Sequence, residues 1–249
     1  MGMRRIGALL VAVVVAVAVP TSAGAAPKRV LVFGDSNSWG WVPKEGVIPS
    51  ERYPEDQRWP SVTQAALGDG YEVVVDALSG RTTDVADPSF PQLDGAGLDG
   101  DAYLPAAIAA HLPLDLVVVM LGTNDTKAMF RRSPFRIALG AGMLVDAVQR
   151  SGDMFGGGWY TYPAPKVLLV CPPPLGQLRG ILAEVFAGGE ERSRGMPAAY
   201  RQIAEAAGAS FFDAGTVIRT DGVDGVHFTA ETQRKLGEAM AGQVRAALE

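Results

Sequence analysis

Cysteine and histidine are scarce in this chain, and their scarcity excludes two classes of protein. Among 249 residues there are one cysteine and two histidines. A single cysteine cannot form an intramolecular disulfide framework, and so few ligands nearly exclude a zinc site built from histidine and cysteine. The sequence also has no motif for a nucleotide or a flavin. We therefore expect no metal and no cofactor, and we expect Cys171 to be a buried free thiol.

Runs of like charge are also absent. The chain has 22 lysines and arginines against 27 aspartates and glutamates, which gives a formal net charge of −5. An acidic chain without a basic patch does not fit a protein whose main partner is nucleic acid, because phosphate binding needs clustered cationic side chains. With 48% apolar and 20% charged residues, the composition is that of a globular protein.

Only one long apolar run occurs, and it lies near the N-terminus. Arg4 and Arg5 precede the apolar stretch 6–19, Pro20 ends it, and small residues follow. This is the pattern of a cleavable signal peptide; the alternative, a transmembrane anchor, needs about 20 apolar residues. We predict a signal peptide over residues 1–25, cleaved after residue 25 or 26, and a single domain over residues 26–249. The mature protein is then expected to be secreted or associated with the cell envelope, without stable membrane insertion.

Five short β-branched runs, separated by helical stretches, predict the fold class. The runs are continuously apolar rather than alternating, which is typical of parallel strands covered on both faces. Strands that alternate with helices form a doubly wound α/β sheet, whose ligands bind beyond the carboxyl ends of the strands. The predicted strands are Arg29–Phe33, Tyr71–Ala77, Asp115–Leu121, Lys166–Cys171 and Ser210–Phe212, and the predicted helices are Trp59–Leu67, Tyr103–Ala110, Arg136–Arg150, Ala198–Ala207 and Thr229–Leu248, the last capped by Thr229.

A serine directly follows the first predicted strand, in the segment Gly34-Asp35-Ser36-Asn37. A serine on a strand-to-helix turn lies at the ligand edge of the sheet, among main-chain N–H groups that face the same space. Ser36 is therefore a candidate nucleophile. The alternative is an ordinary turn, since glycine, serine and asparagine are turn formers.

The turns after the second and third strands offer candidate hydrogen-bond donors. Gly80 allows a ligand to approach the main chain closely, although a plain turn glycine is the alternative. Asn124 offers a side-chain donor, and asparagines occur in oxyanion holes because they stabilise developing negative charge without titrating. The alternative is a helix-capping role, for which the neighbouring Asp125 is the better candidate.

Near the C-terminus, an aspartate lies three residues before a histidine, in Asp224-Gly225-Val226-His227. A carboxylate at this spacing can orient the imidazole through Nδ1 and leave Nε2 free as a base. The alternative is a loop histidine that caps the last helix. The other histidine, His111, has no acid placed to orient it, and we expect it to be structural. Nucleophile, donors and oriented base are what acyl transfer through a covalent intermediate requires.

These blocks, in this order, resemble the SGNH/GDSL hydrolase family. The resemblance implies a flavodoxin-like three-layer α/β/α sandwich with a five-stranded parallel sheet. It implies Ser36 as nucleophile, His227 as base and Asp224 as the residue that orients His227. It also implies an oxyanion hole formed by the N–H of Ser36, the N–H of Gly80 and the side chain of Asn124. The matching blocks are Gly34-Asp35-Ser36, Gly80, Gly122-Thr123-Asn124-Asp125 and Asp224-Gly225-Val226-His227.

Further segments resemble the aryl-esterase and acyltransferase branch of that family. Members of the branch hydrolyse small aryl and alkyl esters, some transfer the acyl group to alcohols or to hydrogen peroxide, and some form tight oligomers. Asn37 departs from the pattern, because an apolar residue commonly follows the serine, and this could change the polarity of the acyl pocket. The segments include Ser38-Trp39-Gly40-Trp41, Ser79-Gly80-Arg81-Thr82-Thr83, Phe130-Arg131-Arg132 and Tyr162-Pro163-Ala164-Pro165.

Several other residues are candidates for the walls of a substrate pocket, with ordinary packing as the alternative for each. We expect the long loop Trp41–Arg58 and the segment Phe130–Arg136 to be lids or subunit contacts. Arg131 and Arg132 are expected to be solvated charges. The pocket candidates are Asp35, Asn37, Trp41, Lys127, Phe186 and Val226.

The sequence therefore favours a secreted serine esterase that hydrolyses small aryl, alkyl or acetyl esters, with acyl transfer or perhydrolysis as a further activity. Alternatives on the same fold are a carbohydrate acetylesterase, a lipase and a thioesterase. A catalytically silent binding module is a remote alternative, since a binding module has no need of the full set of site residues. The expected partner is a small-molecule ester, and a homo-oligomer is one option for the assembly.

Overall fold

A five-stranded parallel sheet forms the centre of the protein, with strands in the order β2-β1-β3-β4-β5. The computed structural model describes residues 26–44, 49–89, 95–154, 162–220 and 222–249, so the predicted signal peptide lies outside the described residues. This strand order is the flavodoxin-like one, and the predicted fold class is confirmed. The strands are β1 Lys28–Gly34, β2 Tyr71–Ala77, β3 Leu116–Met120, β4 Lys166–Cys171 and β5 Ser210–Asp213.

Helices cover both faces of the sheet. On one face, α3, α4 and α6 pack against Leu31, Phe33 and their neighbours, and on the other face α2 and α7 pack against Val30 and Val32. Because alternate strand residues point to opposite faces and both faces are covered, the strands are continuously apolar. The described helices are α1 Ser36–Trp39, α2 Trp59–Leu67, α3 Gly100–His111, α4 Pro134–Met154, α5 Ile181–Val185, α6 Gly189–Ala207 and α7 Ala230–Leu248.

Strand register brings the turns of interest to one edge of the sheet. Gly34, the last residue of β1, pairs with Ala77 on β2 and with Met120 on β3. The three strands therefore end at the same level, and the chain leaves each of them at the carboxyl edge. The turns that contain Ser36 and Gly80 meet there with the turn after β3.

Three helices extend beyond their predicted bounds: α6, α3 and α4, of which α4 spans Pro134–Met154 instead of Arg136–Arg150. The helix predicted to begin at Ala198 begins at Gly189 and contains Pro197 in its interior. α3 begins at Gly100, where the Asp99 carboxylate accepts hydrogen bonds from main-chain N–H groups of the first turn. The predicted cap of α7 is confirmed, since the Thr229 side chain accepts a hydrogen bond from the N–H of Thr232.

Cys171, at the end of β4, is buried as predicted. Burial raises the pKa of its thiol well above the usual value, which keeps the sulfur protonated and unreactive. Within the described ranges, no helix combines the length and the apolar character needed to cross a membrane. The same ranges contain no group of three or more histidine, cysteine, aspartate or glutamate side chains placed to hold a metal ion.

Candidate active site

Ser36, His227 and Asp224 lie in hydrogen-bonding sequence at the carboxyl edge of the sheet. His227 Nε2 is 3.1 Å from Ser36 Oγ, and His227 Nδ1 is 2.7 Å from Asp224 Oδ2. All three side chains are buried, with Ser36 exposed by 5% and His227 by 7%. A hydroxyl, an imidazole and a carboxylate in this order can transfer a proton from the oxygen and stabilise the imidazolium that results.

Ser36 is placed by the short helix α1, which begins directly after β1. The Asp35 carboxylate caps the helix by accepting a hydrogen bond of 2.9 Å from the Asn37 N–H. Gly40 ends it with φ at 96°, and its N–H donates to the Ser36 carbonyl. This left-handed conformation favours glycine. Burial raises the pKa of Asp35 to about 7, against the lowering effect of the hydrogen bonds from Asn37 and Thr123.

His227 is placed by a tight loop before α7. Asp224 Oδ1 accepts hydrogen bonds of 2.9 Å from the N–H groups of Val226 and His227, so one carboxylate holds both the main chain and the imidazole. Gly225 has φ at 81°, and a Cβ there would lie 2.4 Å from the Gln177 carbonyl oxygen. Burial raises the pKa of Asp224, but the hydrogen bond and charge attraction from His227 lower it by more, so the pKa lies below its usual value.

Asn37 joins the two segments that hold Ser36 and His227. Its side-chain amide donates to the Val226 carbonyl at 3.3 Å and accepts from the Phe228 N–H at 3.2 Å. The main-chain carbonyl of Asn37 accepts a hydrogen bond of 3.0 Å from the Gln233 side chain on α7. The amide of Asn37 therefore holds the loop of His227, and its effect on the polarity of the acyl pocket stays a prediction. Asp35 likewise turns its carboxylate to the main chain of α1.

Gly80 and Asn124 lie beside each other on the second and third turns. Asn124 Nδ2 donates a hydrogen bond of 3.0 Å to the carbonyl of Arg81, the residue after Gly80. An amide nitrogen has two N–H groups, so one remains for a ligand. The main-chain N–H groups of Ser36 and Gly80 donate to no other residue in the part of the chain that the structure describes. The edge therefore presents several donors near Ser36.

A buried network of charges lies behind these donors. Asp125 accepts hydrogen bonds from the Thr83 N–H at 3.0 Å, from Thr83 Oγ1 at 2.6 Å and from Arg132 Nη1 at 2.8 Å. Arg132 also pairs with Asp84. The expectation that Arg132 is solvated is wrong, since it is buried between two carboxylates, and Asp125 serves this network instead of capping a helix. Burial raises the pKa of Asp125 to about 6, although Thr83 and Arg132 lower it.

An aromatic ring covers one face of the His227 imidazole. The Trp41 ring stacks on the imidazole, with ring centroids 4.9 Å apart and planes inclined by 16°. Trp41, Phe186 and Val226 belong to one small apolar cluster, separate from the two core clusters. Lys127 is buried and pairs with the buried Asp87, so it ties the loop after β2 to the turn after β3.

Arg81 was not singled out by the sequence as a site residue, and neither was the coupling of Thr83, Asp125 and Arg132. A signal for the network exists only as a run of polar residues, 79–84, directly after a strand. Adjacent arginines are typical of a solvated face, and nothing in the sequence pattern shows that one of them turns inward. His111, at the end of α3, lies away from this network and supplies its carbonyl to Arg29.

Fold and site together define an acyl hydrolase. The family model described as GDSL-like lipase/acylhydrolase matches residues 32–235. The chain therefore belongs to this family and is a carboxylic ester hydrolase.

Solved structures of esterases resemble the chain over nearly its whole described length. The M. smegmatis aryl esterase is 50% identical, with a TM-score of 0.83, and the match covers 88% of this chain and 99% of that one. Est24, a carbohydrate acetylesterase from Sinorhizobium meliloti, is 47% identical with the same TM-score and coverage. A carbohydrate acetylesterase family member from S. meliloti is 38% identical, with a TM-score of 0.79, over 89% of this chain and 99% of that one. No curated protein matches.

Proposed function

We propose that the chain is an exported serine esterase that hydrolyses small carboxylic esters through an acyl-enzyme on Ser36. The observation that supports it most directly is the hydrogen-bonded sequence from Ser36 Oγ to His227 and on to Asp224, at 3.1 and 2.7 Å. The similarity to the aryl esterase and to Est24 supports small aryl and acetyl esters as the substrate class.

The acylation step uses His227 as the base. Ser36 Oγ forms a bond to the ester carbonyl carbon while its proton passes to His227 Nε2. Asp224 keeps the imidazole in the tautomer that accepts at Nε2 and stabilises the imidazolium. The electron pair of the carbonyl moves to its oxygen, and the negative charge there is met by donors from Ser36, Gly80 and Asn124.

The tetrahedral intermediate then collapses to the acyl-enzyme. The carbonyl reforms, the bond to the alcohol oxygen breaks, and His227 donates its proton to that oxygen. In the second half, a water oxygen bonds to the acyl carbon while its proton passes to His227 Nε2. The bond from the acyl carbon to Ser36 Oγ then breaks, His227 returns the proton to Ser36 Oγ, and the carboxylic acid leaves.

An alcohol in place of water would give acyl transfer, and hydrogen peroxide would give a peracid. The apolar cluster of Trp41, Phe186 and Val226 beside His227 supports this further activity, because apolar walls favour an organic acceptor over water. A ratio of ester to acid that follows the bulk concentrations of alcohol and water would count against it.

Carbohydrate acetylesterase activity is the second candidate. It is supported by the 47% identity to Est24. The two candidates share the acetyl group and differ in the alcohol, so acetylated sugar oligomers and aryl acetates of equal concentration separate them by kcat/KM.

The test uses purified protein from residue 26 onward beside its Ser36→Ala variant, with p-nitrophenyl acetate and p-nitrophenyl octanoate as substrates. We expect hydrolysis of the acetate that is lost in Ser36→Ala, with a slower reaction of the octanoate. Activity on the octanoate alone would indicate a lipase. Acetate hydrolysis at the full rate in Ser36→Ala would contradict the proposed nucleophile.

Export and assembly are proposals of the same kind. The arginines and apolar run of residues 1–25 support a cleavable signal peptide. Expression of the full chain in a bacterial host, followed by mass spectrometry of the protein outside the cytoplasm, should give a mature N-terminus at residue 26 or 27. Light scattering of that mature protein would give its oligomeric state.

A further inference from the structure

Arg81 places a buried cation next to the proposed oxyanion hole. The side chain is 1% exposed, although a guanidinium is costly to remove from water. Burial lowers the pKa of Arg81, while its ion pair with Asp76 raises it. Buried ion pairs are often replaceable by apolar residues without loss of stability, so stability alone does not account for this one. Its contacts therefore suggest a role at the site.

The guanidinium connects the ends of β1 and β2. Nη1 donates to the carbonyl oxygens of Asp76, at 2.7 Å, and Gly34, at 3.3 Å. Nη2 donates to Asp76 Oδ1 at 2.8 Å. Gly34 lies two residues before Ser36, so the guanidinium holds the strand end from which the serine turn starts.

Two aromatic rings fix the plane of the guanidinium. Its carbon lies 4.2 Å from the ring centroid of Phe33 and 5.0 Å from that of Tyr103. These rings are nearly parallel to each other, with an interplanar angle of 12°. Phe33 is the residue before Gly34, so the stacking and the hydrogen bond restrain the same strand end.

The main chain of Arg81 contacts the proposed oxyanion donor Asn124. Its carbonyl accepts the hydrogen bond from Asn124 Nδ2 at 3.0 Å. Gly80, directly before it, has φ at 91° and presents its N–H at the same edge. One residue thus contacts the strand that leads to Ser36 through its side chain and the donor Asn124 through its carbonyl.

We propose that Arg81 is a positioning residue that sets the distance between the nucleophile turn and the oxyanion donors Gly80 and Asn124. This proposal rests on the proposed function, because it takes those donors to act on the ester oxygen. The physical reason is that a donor stabilises the oxyanion only at hydrogen-bond distance, and a misplacement of about 1 Å costs on the order of 100-fold in rate.

Arg29 offers a control at the opposite end of the same strand pair, with an ion pair that is more exposed than that of Arg81. Its Nε pairs with Glu72 on β2 at 3.0 Å, and its Nη1 donates to the His111 carbonyl at 2.7 Å. Arg29 therefore crosslinks β1 and β2 to a neighbouring segment as Arg81 does, but far along the strands from Ser36. A loss caused only by weaker strand pairing would follow substitution of either arginine.

The experiment compares Arg81→Lys and Arg29→Lys in the wild-type and the Asn124→Ala backgrounds, with kcat and KM for p-nitrophenyl acetate. Rates are referred to active sites counted by phosphonate titration, so that unfolded protein does not enter kcat. We expect Arg81→Lys to lower kcat by about 10- to 50-fold with KM within about twofold. In the Asn124→Ala background the same substitution should cost clearly less than in the wild type, because one of the two donors that Arg81 positions is already gone and only Gly80 remains to be misplaced. Arg29→Lys should leave kcat within about twofold in both backgrounds.

Equal effects of the two lysine substitutions on kcat would overturn the proposal. So would a decrease in kcat from Arg81→Lys that is as large in the Asn124→Ala background as in the wild type. If Arg81→Lys does not fold, Asp76→Asn replaces it in the same cycle, since it removes the carboxylate that anchors Nη2. Failure of the proposed function has a different signature: Ser36→Ala would keep its activity, or Asn124→Ala would keep kcat in a chain with Arg81 intact.

Discussion

The two halves of the site are built with different chemistry. On the side of Ser36 and His227, neutral amides connect the segments, through Asn37 and Gln233. On the side of Asn124, buried ions do this, with Arg81 paired to Asp76 and Arg132 shared by two carboxylates. Neutral amides keep their hydrogen bonds at every pH, whereas buried ions are stable only while they are paired.

This difference follows from what each half has to hold. The loop of His227 lies against α1, so short amide contacts to main-chain groups reach across. The turns after β2 and β3 are joined by Arg132, which reaches from the segment after β3 to Asp84, and by the hydrogen bonds between Thr83 and Asp125. The ion pairs on the side of Asn124 concentrate charge in the interior of the protein. Loss of one partner of such a pair leaves a buried charge without compensation. We therefore expect the halves to fail in different ways.

The largest effect is expected for Asp224→Asn. The amide keeps the shape of the carboxylate but favours the wrong imidazole tautomer and gives no charge to stabilise the imidazolium, so kcat should fall by about 10,000-fold. Steady-state kinetics with p-nitrophenyl acetate measures this, with circular dichroism as the control for folding. A loss below about tenfold would show that Asp224 does not orient His227.

A large loss of stability is expected for Arg132→Met. The substitution leaves Asp125 and Asp84 buried side by side without their cation, which should lower the free energy of unfolding by about 3–5 kcal/mol. Guanidinium chloride unfolding measures it. Arg150→Met serves as the control, because the exposed pair of Arg150 with Asp146 contributes little. If both variants unfold at the same midpoint, the ion pairs of Arg132 do not stabilise the half of the site that contains Asn124.

The sequence predicted the half held by amides more completely than the half held by charges. The positions of Ser36 and of the loop before α7 follow from strand ends and from a spacing of three residues, which are local properties. Arg132 pairs with Asp84, 48 positions away on another turn, and with Asp125, seven positions away, while Arg81 pairs with Asp76, five positions away. The contacts of Asn37 with Val226, Phe228 and Gln233, which join distant segments in the other half, were not predicted either. No local pattern shows that Arg132, beside Arg131, is buried, because one of its two partner carboxylates, Asp84, comes from a different turn. Long-range pairing of charges depends on register, which only the folded sheet supplies.

A smaller effect is expected for Asn37→Ala, which tests the amide half. It leaves the Val226 carbonyl and the Phe228 N–H without their buried partner, which should cost about 2–4 kcal/mol and lower kcat by about tenfold through a looser His227 loop. Gln64→Ala is the control, since Gln64 makes the same kind of amide contacts with Tyr71 and Val73, away from Ser36. A similar loss of stability is expected there, with kcat unchanged. Loss of kcat in both variants would contradict a specific role for Asn37.

The smallest effect is a pH dependence carried by Asp35, which is, besides Asp224, a buried carboxyl group in the amide half. Burial raises the pKa of Asp35 from its ordinary 3.8 to about 7. A group whose pKa is higher in the folded state contributes stability that is fully present below about pH 4 and is lost as the pH rises through 7. Asn can accept the same N–H of residue 37 without titrating, so the advantage of Asp35→Asn over the wild type should grow by about 2 kcal/mol between pH 5 and pH 8. Unfolding midpoints of both proteins at the two pH values measure it, and a difference that is constant with pH would show that Asp35 stays ionised in the folded protein. Such a result would add a second ionised carboxylate, besides Asp224, to the amide half and weaken the contrast between the two sides of the site.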